Sequence, residues 1–254
     1  MTAGTVQNLF GLELDAMTMA DALAMCDVAV DTRHPTLVGV VNAAKIVTMR
    51  TDPTLRDSLL HCDLVLADGQ SLVWASNLLG RPLPERVAGI DLFEQLLGNA
   101  DVHGRSIYLL GARLDVLESL QARIRERFPG ARIAGAHDGY FADDEADEIA
   151  ADIRLSNADM LFIGMSSPRK EIFLARYAST LGVPVMHGVG GSFDVMAGIT
   201  KRAPARWQRL GLEWLYRLLQ EPRRLWRRYL VTNSAFVCLL LRERLRETPL
   251  YWPS

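Results

Sequence analysis

The apolar residues fall into short runs separated by stretches of helical periodicity. Residues 37–41 form one such run, ending at Asn42. Residues 64–66 form another, which stops at Ala67-Asp68-Gly69. Residues 106–110 end at Gly111, and residues 131–136 lead into His137-Asp138-Gly139. Residues 160–164 end at Gly164, and residues 183–189 end at Gly190-Gly191. Short runs that are apolar at nearly every position mark strands buried on both faces of a parallel sheet. Residues 9–14 alternate instead, as a half-buried strand does. Between the runs lie helices. Thr18 caps one that reaches Thr32, with Asp21 in its first turn. A short one covers 45–50, and Asp52-Pro53 opens the next, with Pro at its first position. Others begin near Ser71, at Asp91 as a cap for 92–97, and at Leu114. The helix from Leu114 ends where Pro129-Gly130 stops it. Residues 143–157 and a stretch opened by Ser167-Pro168 complete the set. Strands alternating with helices at this pitch predict an α/β fold: a Rossmann-like, mostly parallel sheet with helices on both faces.

After Gly198 the strand pattern stops. Trp207, Leu210, Trp214 and Leu218 recur at helical spacing, with Arg206, Arg209, Glu213 and Gln220 on another side. Pro222 breaks this helix and starts a second. The expected organisation is therefore a Rossmann-like body, 1–199, and a C-terminal helical appendage, 200–254.

Charge sharpens that division. The net charge is −2. Residues 1–200 carry 16 Lys and Arg against 26 Asp and Glu, whereas residues 201–254 carry 12 against 4. The appendage is thus basic beside an acidic body, and its natural partners are anionic. Arg223, Arg224, Arg227 and Arg228 crowd the start of the second helix beside Trp226 and Tyr229, with Trp207 and Trp214 in the first. Arginines interleaved with interfacial aromatics predict a helix lying on an anionic membrane surface. Nucleic-acid motifs are missing and the body is acidic, so no nucleic-acid partner is expected. The run 229–241 contains Thr232, Asn233 and Ser234 and falls short of the ~20 residues a membrane span needs. The three cysteines are widely spaced and form neither a disulfide framework nor a metal motif, which points to a reducing cytoplasm. No signal peptide is read at the N-terminus.

Candidate chemistry clusters where strands end, because open α/β sheets bind ligands at their carboxyl edge. Asp68 is a candidate working carboxylate there, or equally a helix cap or Asx-turn residue. Gly164-Met165-Ser166-Ser167-Pro168-Arg169-Lys170-Glu171 joins small residues, a helix N-terminus and two cations, which suits a diphosphate, although many strand–helix turns look alike. Arg86-x-x-Gly89-x-Asp91 could hold a phosphate or clamp its own loop. The acidic run 143–148 decorates a helix start. The five histidines lack ligand spacing, so neither a metal nor a cofactor is expected. P-loop, dinucleotide and nucleophile-elbow motifs are absent.

Seven motifs stand in series: Ala67-Asp68-Gly69, Arg86-x-x-Gly89-x-Asp91, Gly139-Tyr140-Phe141, Pro168-x-x-Glu171, Gly188-Val189-Gly190-Gly191-x-Phe193-Asp194, Arg202-Ala203-Pro204, and Gly211-Leu212-Glu213-Trp214-Leu215-Tyr216-Arg217. Through them the chain resembles the WecG/TagA/CpsF family of bacterial glycosyltransferases, glycosyltransferase family 26. The resemblance implies inverting, metal-independent transfer of a sugar from a UDP-sugar to a polyprenyl-diphosphate-linked sugar, at the cytoplasmic face of the cell membrane. It implies Asp68 as base, with Asn42 in the same pocket. Val40, Arg86, Asp91, Gly111, Gly139, Gly164, Pro168, Lys170, Glu171, Gly190 and Asp194 become candidate substrate-binding residues. Arg217, Arg224, Arg227 and Arg228 become candidates for the diphosphate and the membrane. Homo-oligomers are a further expectation. Two departures stand out. Val40-Val41-Asn42 replaces a frequent Thr-x-Asn, and Pro168-Arg169-Lys170-Glu171 replaces Pro-x-Gln-Glu. The donor sugar is therefore left open between N-acetylmannosamine, a hexose such as glucose, and a uronic acid. A non-catalytic nucleotide- or lipid-binding regulator on the same sheet is the alternative.

Overall fold

The computed structural model describes residues 5–209 and 211–246, apart from the side chains of Arg209, Arg224 and Arg228. A hairpin opens the chain, β1 (Val6–Leu9) against β2 (Leu12–Asp15). Here the expectation of one strand over 9–14 is corrected. Phe10 and Gly11 both take positive φ (58° and 86°), and such a pair is what a tight hairpin turn needs. Helix α1 (Met19–Thr32) follows behind the expected Thr18 cap, which pairs with Asp21 as a full capping box.

Then come β3 (Thr36–Val41), α2 (Ala43–Thr48), α3 (Pro53–Leu60), β4 (Leu64–Ala67), α4 (Gln70–Leu78) and α5 (Gly89–His103). The second half runs β5 (Ser106–Gly111), α6 (Leu114–Arg127), β6 (Arg132–His137), α7 (Ala146–Leu155), β7 (Met160–Gly164), α8 (Arg169–Tyr177), β8 (Val185–Gly188) and α9 (Ser192–Met196). The six strands β3 to β8 form one parallel sheet in the order β4-β3-β8-β7-β5-β6. The predicted α/β architecture is therefore present. From β3 the chain steps outward to β4, and from β5 it steps outward the other way to β6. Such reversals open crevices at the carboxyl ends of the strands.

Apolar side chains fill three zones. One face of the sheet packs against α1, α5 and α6 through residues such as Phe93, Leu96 and Leu120. The opposite face packs against α7 and α8 through Tyr108, Ile153 and Phe173. The third zone covers the β4 edge. There Leu9, Leu12 and Leu14 of the hairpin meet Val41, Val65, Leu72 and Phe236. An uncovered edge strand would offer its N–H groups to another chain. Asp15 removes one of them, since its Oδ2 accepts from Val65 N at 2.7 Å. At the far edge β6 stays half exposed.

Several boundaries move from the sequence reading; α2, for example, covers Ala43–Thr48 instead of 45–50 because Asn42 caps it. Helix α5 starts at Gly89, so Asp91 lies inside its first turn instead of capping it. Helix α7 starts at Ala146, because Glu145 turns back to accept from Ala142 N at 2.5 Å.

The C-terminal segment is helical, as expected, but in three pieces: α10 (Ala205–Arg209), α11 (Glu213–Gln220) and α12 (Pro222–Arg244). Gly211, at φ +69°, separates the first two, and Leu210 lies outside the described residues. Pro222 starts α12 as the sequence predicts. Helix α12 reaches back across the hairpin. Phe236 stacks at 5.3 Å on Phe10, and buried Glu243 accepts from Arg81 at 3.1 Å. Phe236→Ala should therefore cost about 3 kcal/mol of unfolding free energy, the usual range for deleting a buried phenyl ring, and hasten tryptic cleavage within α12. Equal stability and equal protease resistance would place that helix outside the core.

Candidate active site

A cleft of about 580 Å³ opens at the carboxyl ends of β3, β4 and β8. Its floor comes from Val40, Asn42, Asp68 and Gly188, and its side wall from Gly69 to Ser71, Trp74 and Gly89. Its roof comes from α11 and α12 through Trp214, Arg217, Tyr229 and Phe236. Trp214 and Tyr229 meet edge to face at 5.8 Å and join the two roof helices.

The floor follows from local sequence. Asn42 ends β3 and caps α2, accepting from Lys45 N at 3.1 Å. Its amide faces Asp68 Oδ2 at 3.5 Å. Asp68 ends β4 and does not cap its own helix, since α4 begins without a side-chain cap. Instead Oδ1 accepts from Gly89 N at 3.1 Å, at the first residue of α5. A helix start leaves such N–H groups free and favours negative charge. The carboxylate is thus held by one oxygen, and the other is turned towards Asn42. A Cβ at position 89 would lie 3.1 Å from Val40 Cγ2, a contact tight enough that Val40 would have to give by a few tenths of an ångström.

The Arg86 and Asp91 motif closes on the C-terminal motifs. Arg86 Nη1 donates to Glu213 Oε2 at 2.6 Å, and Nη2 lies 3.6 Å from Asp91 Oδ2. Arg202 grips Asp91 with both terminal nitrogens, at 2.5 and 2.9 Å, and reaches Glu213 Oε1 through Nε at 3.2 Å. Two guanidiniums and two carboxylates thereby form one ring. Burial works against the charge on Arg202, but Asp91 and Glu213 outweigh it and raise its pKa.

Of the residues named from sequence, the cleft brings together Asp68, Asn42, Val40, Arg86 and Arg217. Others lie apart. Gly111, Gly139 and Gly164 close on one another where β5 and β7 end. Gly111 has φ +133°, and a Cβ on it would come within 2.5 Å of the Gly164 carbonyl carbon. Gly190 takes φ +52° beside the cleft, and Asp194 sits in the first turn of α9. Pro168 precedes α8. Lys170 and Glu171 lie behind the floor. Lys170 packs over Gly188, and its Nζ meets Glu171 Oε1 at 3.2 Å. Burial would raise the Glu171 pKa, yet Lys170, the backbone, Ser167 and Lys45 together bring it below the ordinary value. Arg227 is exposed on α12, whereas the side chains of Arg224 and Arg228 lie outside the described residues.

Sequence reasoning passed over Lys45, which looks like an ordinary helix lysine. Its Nζ donates to Val40 O at 2.7 Å, tying α2 to the end of β3. It also passed over the pairing of Arg202 with Asp91. The only signal for that pairing was the presence of both in the motif series.

Sheet and cleft define an α/β protein with a cleft at the carboxyl ends of its parallel strands, beneath a helical roof. The model of the Glycosyl transferase WecG/TagA/CpsF family matches residues 7–249, and the chain belongs to that family. It is similar to the N-acetylglucosaminyldiphosphoundecaprenol N-acetyl-beta-D-mannosaminyltransferase of Bacillus spizizenii, at 40% identity over 79% of this chain and 77% of that protein. The protein of the same name in Bacillus subtilis strain 168 is 35% identical over 86% of this chain and 84% of that one.

The floor carries a testable pH signature. Burial, with Lys170 nearby, lowers the Lys45 pKa to about 8 from an ordinary 10.5. Between these values the unfolded chain holds the proton that the folded chain has released, so the stability contributed by this group rises with pH. Lys45→Met lacks that rise. In urea titrations from pH 7 to pH 10 the wild type should gain on the variant, whereas parallel curves would place the ammonium in water.

Proposed function

We propose that this chain transfers a sugar from a UDP-sugar to a polyprenyl-diphosphate-linked sugar, with inversion, while resting peripherally on the inner face of a bacterial cell membrane. The observation that carries the reading is a single carboxylate on the cleft floor opposite arginines of the wall and roof. Asp68 is the base. It takes the proton from the acceptor hydroxyl as that oxygen attacks the anomeric carbon from the face opposite the leaving group. The bond to the UDP oxygen breaks, and charge grows on the diphosphate. Arg86 and Arg217 line the cleft where they can offset it, and preorganised charge of this kind is commonly the largest catalytic contribution. The relatives' names support a lipid-linked acceptor sugar. Val40 presents two methyl groups to the floor where the family often has a threonine hydroxyl. A hexose or uronate donor therefore fits the reading as well as N-acetylmannosamine does.

Among the described residues, no helix is long and apolar enough to cross a membrane. The roof helices nevertheless expose Leu219, Trp226, Leu230 and Leu241, with Arg223 and Arg227 beside them. Apolar side chains flanked by arginines suit the boundary of an anionic bilayer. An acceptor anchored there would offer its diphosphate to the cleft roof.

Asp68→Asn keeps shape and removes the base. It should lower kcat by about 10²–10⁴-fold while UDP affinity and Tm stay near wild type. UDP binding with no transfer by the wild type, across a panel of UDP-sugars and acceptors, would favour a regulator instead. The double variant Trp226→Ser, Leu230→Ser should no longer sediment with phosphatidylglycerol vesicles while still binding UDP in solution. Unchanged sedimentation would move the membrane contact elsewhere.

A further inference from the structure

His187 is a polar ring in the middle of an apolar sheet. It lies on β8, paired in register with Val38 on one side and Phe162 on the other, and it is 0% exposed. A valine or leucine would fill such a place without the cost of burying two ring nitrogens. The ring's one well-formed hydrogen bond runs from Nε2 to Gly89 O at 3.0 Å, with the Val38 backbone also facing the ring; a carbonyl can only accept, so Nε2 carries the proton. Nδ1 has no hydrogen-bond partner among the described residues. Burial drives the ring's pKa down to about 4, against the backbone of Gly89 and Val38, and Lys170 and Lys45 push the same way. His187 is therefore neutral throughout the physiological range and is not an acid or base there.

What the ring touches is the first residue of α5. Gly89 donates its N–H to Asp68 Oδ1 and accepts from His187 through its carbonyl. Its Cα faces Val40 and the imidazole: a Cβ there would come within 3.1 Å of Val40 Cγ2 and into ordinary contact with His187 Cε1 at 3.7 Å. Gly89 opens α5 and has no side chain of its own, so beyond the helix backbone these two hydrogen bonds set how its peptide is aimed.

We propose that His187 is a positioning residue for the Asp68 carboxylate. It fixes the Gly89 backbone from beneath the floor, so that the Gly89 N–H stays aimed at Oδ1 and the other oxygen stays turned to the cleft. This rests on the reading of Asp68 as general base. Through its hydrogen bond Gly89 favours the charged carboxylate, and a loosened Gly89 withdraws that support. The charged groups around Asp68 are Lys45 behind the floor and Arg86, Glu213 and Arg217 on the cleft walls; those facing His187 are Lys45 and Lys170. None changes when His187 is replaced.

The test compares His187→Phe, which keeps girth without a donor, His187→Asn, whose donor is too short to reach Gly89, and His187→Gln, which restores a donor at similar reach. Full-length variants are assayed for UDP release and titrated by carbon-13 NMR of the aspartate carboxyl groups, with Asp68→Asn assigning the signal. Phe and Asn should each lower kcat, by up to about 10²-fold, with the donor KM nearly constant. They should also shift the acid limb of the kcat profile and the Asp68 titration to higher pH, and Gln should recover both. Two variants guard against one that fails to fold, and the NMR titration reads the carboxylate without turnover. If Phe or Asn folds and leaves both the Asp68 titration and kcat at wild-type values, the positioning role is wrong. If kcat falls but the titration and acid limb do not move, His187 is a packing residue and the proposal also fails. If Asp68→Asn itself turns over normally, the base assignment falls and takes the proposal with it, an outcome the other two cannot mimic.

Discussion

The ring of Arg86, Glu213, Arg202 and Asp91 is the contact on which the cleft depends. Each guanidinium meets both carboxylates, and Arg86 and Arg202 are only 14% and 19% exposed. Four charges so arranged add little net stability over apolar packing, but losing one member leaves another buried without its partner. Their value lies in specifying geometry. Asp91 belongs to the first turn of α5, the turn whose Gly89 holds Asp68. Glu213 opens α11, whose Trp214 and Arg217 form the roof. One network therefore sets the distance between the carboxylate on the floor and the arginines above it.

The hydrophobic contacts of α12 complete the closure from the other end. Phe236 enters the core beside Phe10, and Arg81 meets Glu243, so the helix runs along the hairpin over the β4 edge. A single surface thus does two jobs. Its inner side walls the cleft, and its outer side presents tryptophan, leucine and arginine to the surroundings. A ligand whose head enters the cleft and whose tail stays in a bilayer fits that division of labour.

Much of this was legible in the chain. Buried parallel strands announce themselves as apolar runs, and Asn42 and Asp68 stood out because each ends one. The Thr18 cap and the Pro222 start are local signals, and both hold. What failed was local ambiguity. Phe10-Gly11 sits inside an alternating pattern, and period two cannot separate one strand from a hairpin unless the turn is recognised. Asp91 looked like a cap because Asp favours caps, but a distant arginine claimed it. The pairing of Arg202 with Asp91, separated by 111 residues, and the bond from His187 to Gly89 are long-range facts. No window of sequence carries them. Gly111 and Gly164 illustrate the reverse: the sequence marked them as small residues at strand ends, and their close approach shows a packing reason for being glycine.

The central claim is that floor and roof act on one ligand. Hydrogen exchange of the full chain, read by mass spectrometry, tests this most directly. The protein is exchanged alone, and then with UDP together with a short-chain prenyl-diphosphate N-acetylglucosamine. Protection should appear together at the start of α4, at Gly89 and Ile90, and along α11 from Glu213 to Arg217. Protection confined to the strand ends around Gly111, Gly139 and Gly164, with α11 and the Asp68 turn unchanged, would contradict the account.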